Sequence, residues 1–397
     1  MPLISLFKES PQTLADMNIQ QIVGLAGDGT LKDGVSSQDE LHEYLSLVDA
    51  EKLVEYSLYC LENAFTDSGL VLQDVVNEVG RRLYFKVKNG RYRGVRNENG
   101  YDGIWESLSG MSYVVETKTT SAYSINLETI EKYRDGLVDE GMLTSNSAIL
   151  FVVGRQETQA LEQQIRGSIH AWSMRVIGVE ALLKLMRVNI SSLSEDVTNQ
   201  IHEILKPIEY TRVDPIVEVI FATSEDRDES DEGDEETDLD SDSVDDTAAT
   251  RPSNAARIKQ KRQQLAEKFG LIQGKKLIRR KQALFSNPED SLRVAISISK
   301  AYEKGSDRYW YSYIQPMRRY LSGCRDSYMI YGCLDRDDGF AIPYSLIEEY
   351  KEEMNVTVPK DDPEKLYYHV FIKESDVGLK LRLAKTKREV ALDEFKF

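Results

Sequence analysis

An α/β domain joined through an acidic linker to a strand-rich α+β domain is the architecture the sequence predicts, and three observations predict it. Residues 224–246 hold 14 acidic residues, one arginine and almost nothing apolar. Such a stretch cannot bury enough surface to offset its ordering entropy and reads as a disordered linker. Before it, the hydrophobic periodicity runs helix, strand, strand, strand, helix, strand, then further α/β elements. After it, five strand-like runs and two helical segments give an α+β pattern. The 397 residues divide into an N-terminal extension (1–45), an α/β domain (46–223), the linker (224–250) and a basic, aromatic-rich domain (251–397).

In the α/β domain, Leu53, Tyr56, Leu58, Tyr59 and Leu61 mark a helix over 49–63. A second, over 70–83, carries Leu72, Val75, Val76 and Val79 on one face and Glu78 near its end. Strand-like runs follow at 83–87, 101–106 and 111–118, with Leu108-Ser109-Gly110 turning between the last two. A helix over 127–137, an apolar strand over 148–153, a helix over 158–166, a strand over 175–179 and a helix over 180–188 complete the domain. In the C-terminal domain a basic helix over 255–269 precedes strands at 292–298, 308–314, 328–334, 367–373 and 378–383. A helix near 344–354 starts after Pro343.

The net charge of −17 is misleading until it is partitioned. The acidic tract accounts for −13 and leaves −4 for the other 374 residues, whereas residues 251–281 carry +10. An acidic whole-chain balance therefore does not argue against a nucleic-acid partner. We expect the tract to be a soluble spacer; the sharper alternative is a nucleic-acid mimic covering the adjacent basic segment. No run approaches the roughly 18 apolar residues of a membrane span, so no membrane partner is expected. No secretory leader is expected either, and three scattered cysteines fit a reducing, cytoplasmic setting. Gly24–Gly29 lacks the Lys-Ser/Thr ending of a phosphate-binding P-loop and reads as a plain loop. The four histidines and three cysteines show no zinc spacing.

The sharpest chemistry lies in Tyr101-Asp102-Gly103-Ile104-Trp105, ten residues, then Glu116-Thr117-Lys118. Strand side chains alternate faces, so Glu116 and Lys118 point the same way, and Asp102 on the preceding hairpin strand can face them. Two carboxylates beside an ammonium offer hard oxygen ligands for Mg²⁺ and a cation for a phosphate or for orienting water.

These residues resemble the PD-(D/E)xK, or restriction-endonuclease-like, nuclease superfamily, whose αβββαβ core carries Asp on one hairpin strand and Glu-x-Lys on the next. The resemblance covers about residues 51–188, and position 101 is Tyr where the motif has Pro. It implies a Mg²⁺-dependent endonuclease, with Mn²⁺ able to substitute. Asp102 and Glu116 would hold the metal, Lys118 would assist the attacking water, and Glu78 would be a supporting acid on the first core helix.

Seven basic residues and no acid lie between positions 81 and 96. Of these, Arg81, Arg82, Lys88, Arg91, Arg93 and Arg96 are candidate phosphate contacts flanking Asp102. Gln163 and Arg166, three apart on one helix face, are further candidates, with His170 and Trp172 beyond them. In the C-terminal domain, aromatics interleave with cations between 302 and 331. Alternate members of Tyr309–Tyr313 are expected in the core and the others in contact with bases. The basic clusters 257–268 and 275–281 are expected to hold phosphate. The expected function is hydrolysis of DNA, double-stranded above all, in restriction or anti-phage defence, with a homodimer supplying the second cut. The alternatives are an RNA or single-strand nuclease effector and a DNA-binding module that does not cut.

Overall fold

The structure is a computed structural model, and it describes residues 3–93, 100–119, 126–154, 158–207, 213–214, 216–217, 254–302, 308–358, 366–375 and 378–397. The chain is mixed α/β and divides into two compact units. One carries the described residues up to Ser191 and from Glu195 to Val217; the other carries Ser192–Ser194 and the described residues from Asn254 on. The acidic tract and Arg96 lie outside the described residues. Among the described residues no helix is long and apolar enough to cross a membrane.

The first unit opens with four helices: α1 (Leu3–Glu9), α2 (Pro11–Ala15), α3 (Ile19–Leu25) and α4 (Ser36–Leu47). Then come α5 (Ala50–Glu62), capped by the Asp49 carboxylate on the Lys52 amide, and α6 (Ser68–Arg82). Three strands follow, β1 (Lys86–Asn89), β2 (Gly103–Glu106) and β3 (Ser112–Lys118). Next are α7 (Leu127–Asp139), β4 (Ser147–Val153), α8 (Gln159–Arg166), β5 (Met174–Gly178), α9 (Val179–Ser191) and α10 (Glu195–Leu205). The sheet order is β1-β2-β3-β4-β5, antiparallel through β3 and parallel from β3 to β5.

Alternation along the strands separates two cores. Trp105, Tyr113, Val115, Leu150, Val152 and Ile177 face one side, where α5, α6 and α9 pack. Ile104, Val114, Ile149, Phe151 and Val176 face the other, against Leu127 and Ile130 of α7 and Leu161 and Ile165 of α8. The result is three layers with the sheet in the middle. Leu3, Ile19, Leu41 and Tyr44 of the N-terminal helices share the first of these cores. The first strand begins later than the periodicity predicts, because Tyr84 takes a positive φ of 65° as the chain leaves α6.

In the second unit, β6 (Ile278–Lys281), β7 (Leu284–Ser286), β8 (Arg293–Ser299), β10 (Ser327–Cys333) and β11 (Gly339–Pro343) form one sheet, ordered β11-β10-β8-β7-β6. The helix Asn254–Ile272 covers one face of it through Leu265, Ala266 and Phe269. A second sheet joins β12 (Asn355–Thr357), β13 (Tyr367–Ser375), β14 (Gly378–Leu383) and β15 (Arg388–Ala391), with β9 (Tyr309–Ile314) also paired to β13. One core lies between the two sheets. Tyr309, Tyr311 and Tyr313 enter it while Trp310 and Ser312 stay part-exposed, the predicted alternation.

Candidate active site

The site forms where β2 begins and β3 ends. Gly103 pairs with Val115, and continuing that register sets Asp102 opposite Glu116. Both share the sheet face of Ile104 and Val114, as does Lys118 two residues on. The Asp102 amide donates to the Val115 carbonyl (3.1 Å), and the Thr117 amide donates to Asp102 Oδ2 (2.6 Å). Lys118 Nζ lies 3.0 Å from Glu116 Oε2. Glu116 is buried, Asp102 and Lys118 part-buried.

Helix α6 fixes the start of β2. Gln73 Nε2 and Asn77 Nδ2 donate to the Asp102 carbonyl at 3.1 and 2.8 Å, and the buried Trp105 indole donates to Asn77 Oδ1 (2.9 Å). The approach is close enough that a Cβ on Gly103 would stand 2.2 Å from Asn77 Oδ1, so glycine must follow Asp102.

Desolvation raises the Asp102 carboxyl from its ordinary 3.8 to about 7, and the neighbouring Glu116 charge adds to it. The Thr117 amide and Lys118 offset part of the rise, and the Asp74 charge adds a little. Burial alone would lower the Lys118 pKa, but Glu116 and then Asp102 outweigh it and raise it. Lys118 is therefore an ammonium at neutral pH.

The acid on α6 that acts on Asp102 is Asp74, which sequence reasoning missed. Its side chain is wholly buried, accepts the Tyr92 hydroxyl, and lies 2.8 Å from His42 Nε2. The N-terminal region supplies that histidine and also Asp33, whose carboxylate accepts the amides of Tyr92 (2.7 Å) and Arg93 (3.2 Å). Glu78, the supporting acid expected from the resemblance, is paired with two arginines. One turn beyond Asp74, it is buried and lies 2.8 Å from Arg82 Nε and 3.4 Å from Arg81 Nη1. The signal that could have found Asp74 is Gln73, Asp74 and Asn77 inside an otherwise apolar helix: a buried polar cluster is the informative exception.

The proposed phosphate contacts separate into interior and surface residues. Arg82 is 2% exposed and donates to the carbonyls of Ser46 (3.2 Å) and Val48 (2.9 Å), contacts that serve the fold. Arg81 is part-exposed and bonds Asn89 Oδ1 (2.6 Å). Lys88, Arg91 and Arg93 are exposed, and Lys88 shares the sheet face of Ile104 and so of the site. Gln163 and Arg166 are exposed on α8, with Arg166 3.9 Å from Glu162. Trp172 is 71% exposed, whereas His170 is tied to Glu131 at 3.0 Å. In the second unit, part of the basic cluster is internal: Arg280 bonds Ser286 Oγ (2.9 Å), and the buried Lys281 bonds the Ser194 carbonyl (2.6 Å).

Among the described residues no three His, Cys, Asp or Glu side chains converge as a cation cage. Mg²⁺ does not demand one, because it keeps several waters and takes one or two carboxylates. A desolvated carboxylate pair with mutual repulsion fits that requirement. No protein-family model matches the chain, and no characterised protein matches it.

Proposed function

We propose that the first unit is a Mg²⁺-dependent endonuclease of the PD-(D/E)xK kind that hydrolyses DNA, double-stranded above all, in restriction or defence against foreign DNA. The observation that carries this reading is the carboxylate pair Asp102 and Glu116 beside the Lys118 ammonium at one end of the sheet. The order of elements and the sheet connections also support it. Asp102 and Glu116 would hold the metal. A bound divalent cation supplies positive charge to the phosphoryl oxygens and acidifies the attacking water. Lys118, held protonated by the two carboxylates, acts as a donor to the scissile phosphate rather than as a base. Lys88, Arg91 and Arg93 would hold neighbouring phosphates and set the register of the strand. A second copy of the chain would place a second site on the other strand.

The test is cleavage of supercoiled plasmid, modified phage DNA, single-stranded DNA and RNA by the purified full chain with Mg²⁺, Mn²⁺ or EDTA. Metal-dependent cutting of duplex DNA is the expected result. Cutting of RNA alone would overturn the choice of substrate, and no cutting with DNA still bound would leave a binding module.

The raised Asp102 pKa gives a second prediction. Below about pH 7 a proton competes with the cation for Asp102, so apparent Mg²⁺ affinity should fall about tenfold per pH unit as pH drops. Calorimetry at pH 6 in buffers of different ionisation enthalpy should show a proton released on binding, and at pH 8 almost none. Affinity that does not change with pH would place the cation elsewhere.

A further inference from the structure

The second sheet of the C-terminal unit has one face in the core and one outside, and the outer face is not the polar surface that alternation ordinarily gives. Trp310, His369 and Phe371 stand on it together. Phe371 is the cross-strand partner of Trp310, and His369 lies two residues before Phe371 on β13. The Trp310 and His369 rings are stacked at 5.7 Å between centroids, and the His369 and Phe371 rings at 6.2 Å with an interplanar angle of 13°. Their planes are held by hydrogen bonds. Trp310 Nε1–H donates to His369 Nδ1 (3.0 Å), which leaves the proton on Nε2, 2.7 Å from Thr357 Oγ1.

Cations border this row. The Arg382 guanidinium lies 4.7 Å over Phe371 from the paired strand β14. Lys373 and Lys380 face each other across the same pair of strands, and the Glu389 carboxylate lies 3.2 and 3.4 Å from them. Among the described residues, this part of the face thus brings three cations beside the aromatic row.

We propose that this face binds single-stranded DNA, stacking unpaired bases on Trp310, His369 and Phe371 while Lys373, Lys380 and Arg382 hold the phosphates. Every base has a π-face, so an aromatic row with flanking cations holds a strand with little regard to sequence. Paired bases in a duplex cannot reach the rings, so the site discriminates against duplex. That the strand is DNA rests on the nuclease reading above; the stacking itself does not.

The experiment uses the full chain in EDTA, with labelled dT20, rU20 and a 20-base-pair duplex at low salt. A Trp172→Phe background leaves Trp310 and the fully buried Trp105 as the only tryptophans. Binding of dT20 should quench the emission, and Trp310→Phe in that background should abolish the quenching. Phe371→Ala should weaken dT20 binding between about fivefold and a hundredfold. Circular dichroism and cooperative unfolding confirm that each variant is folded. Unchanged emission and unchanged dT20 affinity in the folded Phe371→Ala protein would overturn the site, as would quenching of Trp310 by the duplex as strong as that by dT20, and stronger quenching by rU20 would overturn DNA as its ligand. Plasmid cleavage by the wild type is scored separately, so loss of this inference and loss of the nuclease reading give different results.

Discussion

Asp102→Asn is expected to lose cleavage by about a thousandfold or more and, at the same time, to raise the melting temperature at pH 8. The loss follows from removing one of the two carboxylates proposed to hold the metal, because a charge that supplies several kcal/mol in the transition state is worth a factor of ten per 1.36 kcal/mol. The gain follows from the same charge. A carboxyl moved from 3.8 to about 7 is unfavourable when ionised in the folded protein, chiefly through desolvation and then through Glu116. Between those two pH values the folded chain binds a proton that the unfolded chain has lost, so stability falls as pH rises through the window and then levels off. Asparagine removes the charge, keeps an oxygen for the Thr117 amide, and turns a donor toward Glu116. Water reaches this part-buried group, so the net gain is about 1–3 kcal/mol, roughly 3–8 °C for a unit of this size. At pH 5, about a third of the way up that window, the difference should shrink to about a third of its size at pH 8, and it should vanish only below about pH 4. Thermal melts at pH 5 and pH 8 beside a plasmid assay would check both halves. A variant destabilised at both pH values would mean that Asp102 serves the hairpin and not a cation, whereas lost activity with gained stability is the signature of a site built at the expense of the fold. Lys118→Met should keep DNA affinity within a few fold and lose about a hundredfold to a thousandfold in cutting.

Asp102, Glu116 and Lys118 were legible because their arrangement is set by local rules. A hairpin register and strand alternation place three side chains on one face without reference to the rest of the chain. The elements of the α/β unit were legible for the same reason, and so was the burial of Tyr309, Tyr311 and Tyr313. Asp74 was not, because its partners His42 and Tyr92 come from other parts of the chain and nothing near it in sequence marks it. The pair Glu78 and Arg82 carries a local signal of its own. Four residues apart on a helix, they are placed to bind each other, and that simple pairing accounts for both. The N-terminal helices were set apart as an extension, yet their apolar residues enter the core shared with α6 and bring His42 and Asp33 to the loop beside the site. The outer aromatic row of the second unit was half legible: Trp310 appeared as the alternate member of a strand, but His369 and Phe371 come from β13, whose pairing with β9 no local pattern announces.

Arg82→Ala should cost about 3–5 kcal/mol of stability while leaving the phosphate contacts of the folded protein unchanged. Its guanidinium joins two things that both need it. Glu78 Oε1 lies 2.8 Å from Nε in a place where neither side chain is more than 3% exposed. On its other side, Nη2 donates to the carbonyls of Ser46 and Val48, at the C-terminal end of α4, where helical carbonyls have no partner within their own helix. Truncation strands a buried carboxylate and reopens that helix end, and a buried charge left without its partner is the expensive half of breaking such a pair. Glu78→Leu combined with Arg82→Met should recover part of the loss, since an apolar pair of similar volume removes the stranded charge, though not the carbonyls. The coupling between the two sites should be about 1–3 kcal/mol in a double-mutant cycle. The same variants separate structure from recognition. If Arg82 only supports the fold, the slope of log affinity for duplex DNA against log salt stays unchanged in the folded Arg82 variant. Lys88→Ala, which removes an exposed cation on the sheet face of the site, should make that slope shallower by about 0.9. A shallower slope for Arg82→Ala and none for Lys88→Ala would place the bound strand on the α4 side of α6, and with it the path of DNA through the first unit.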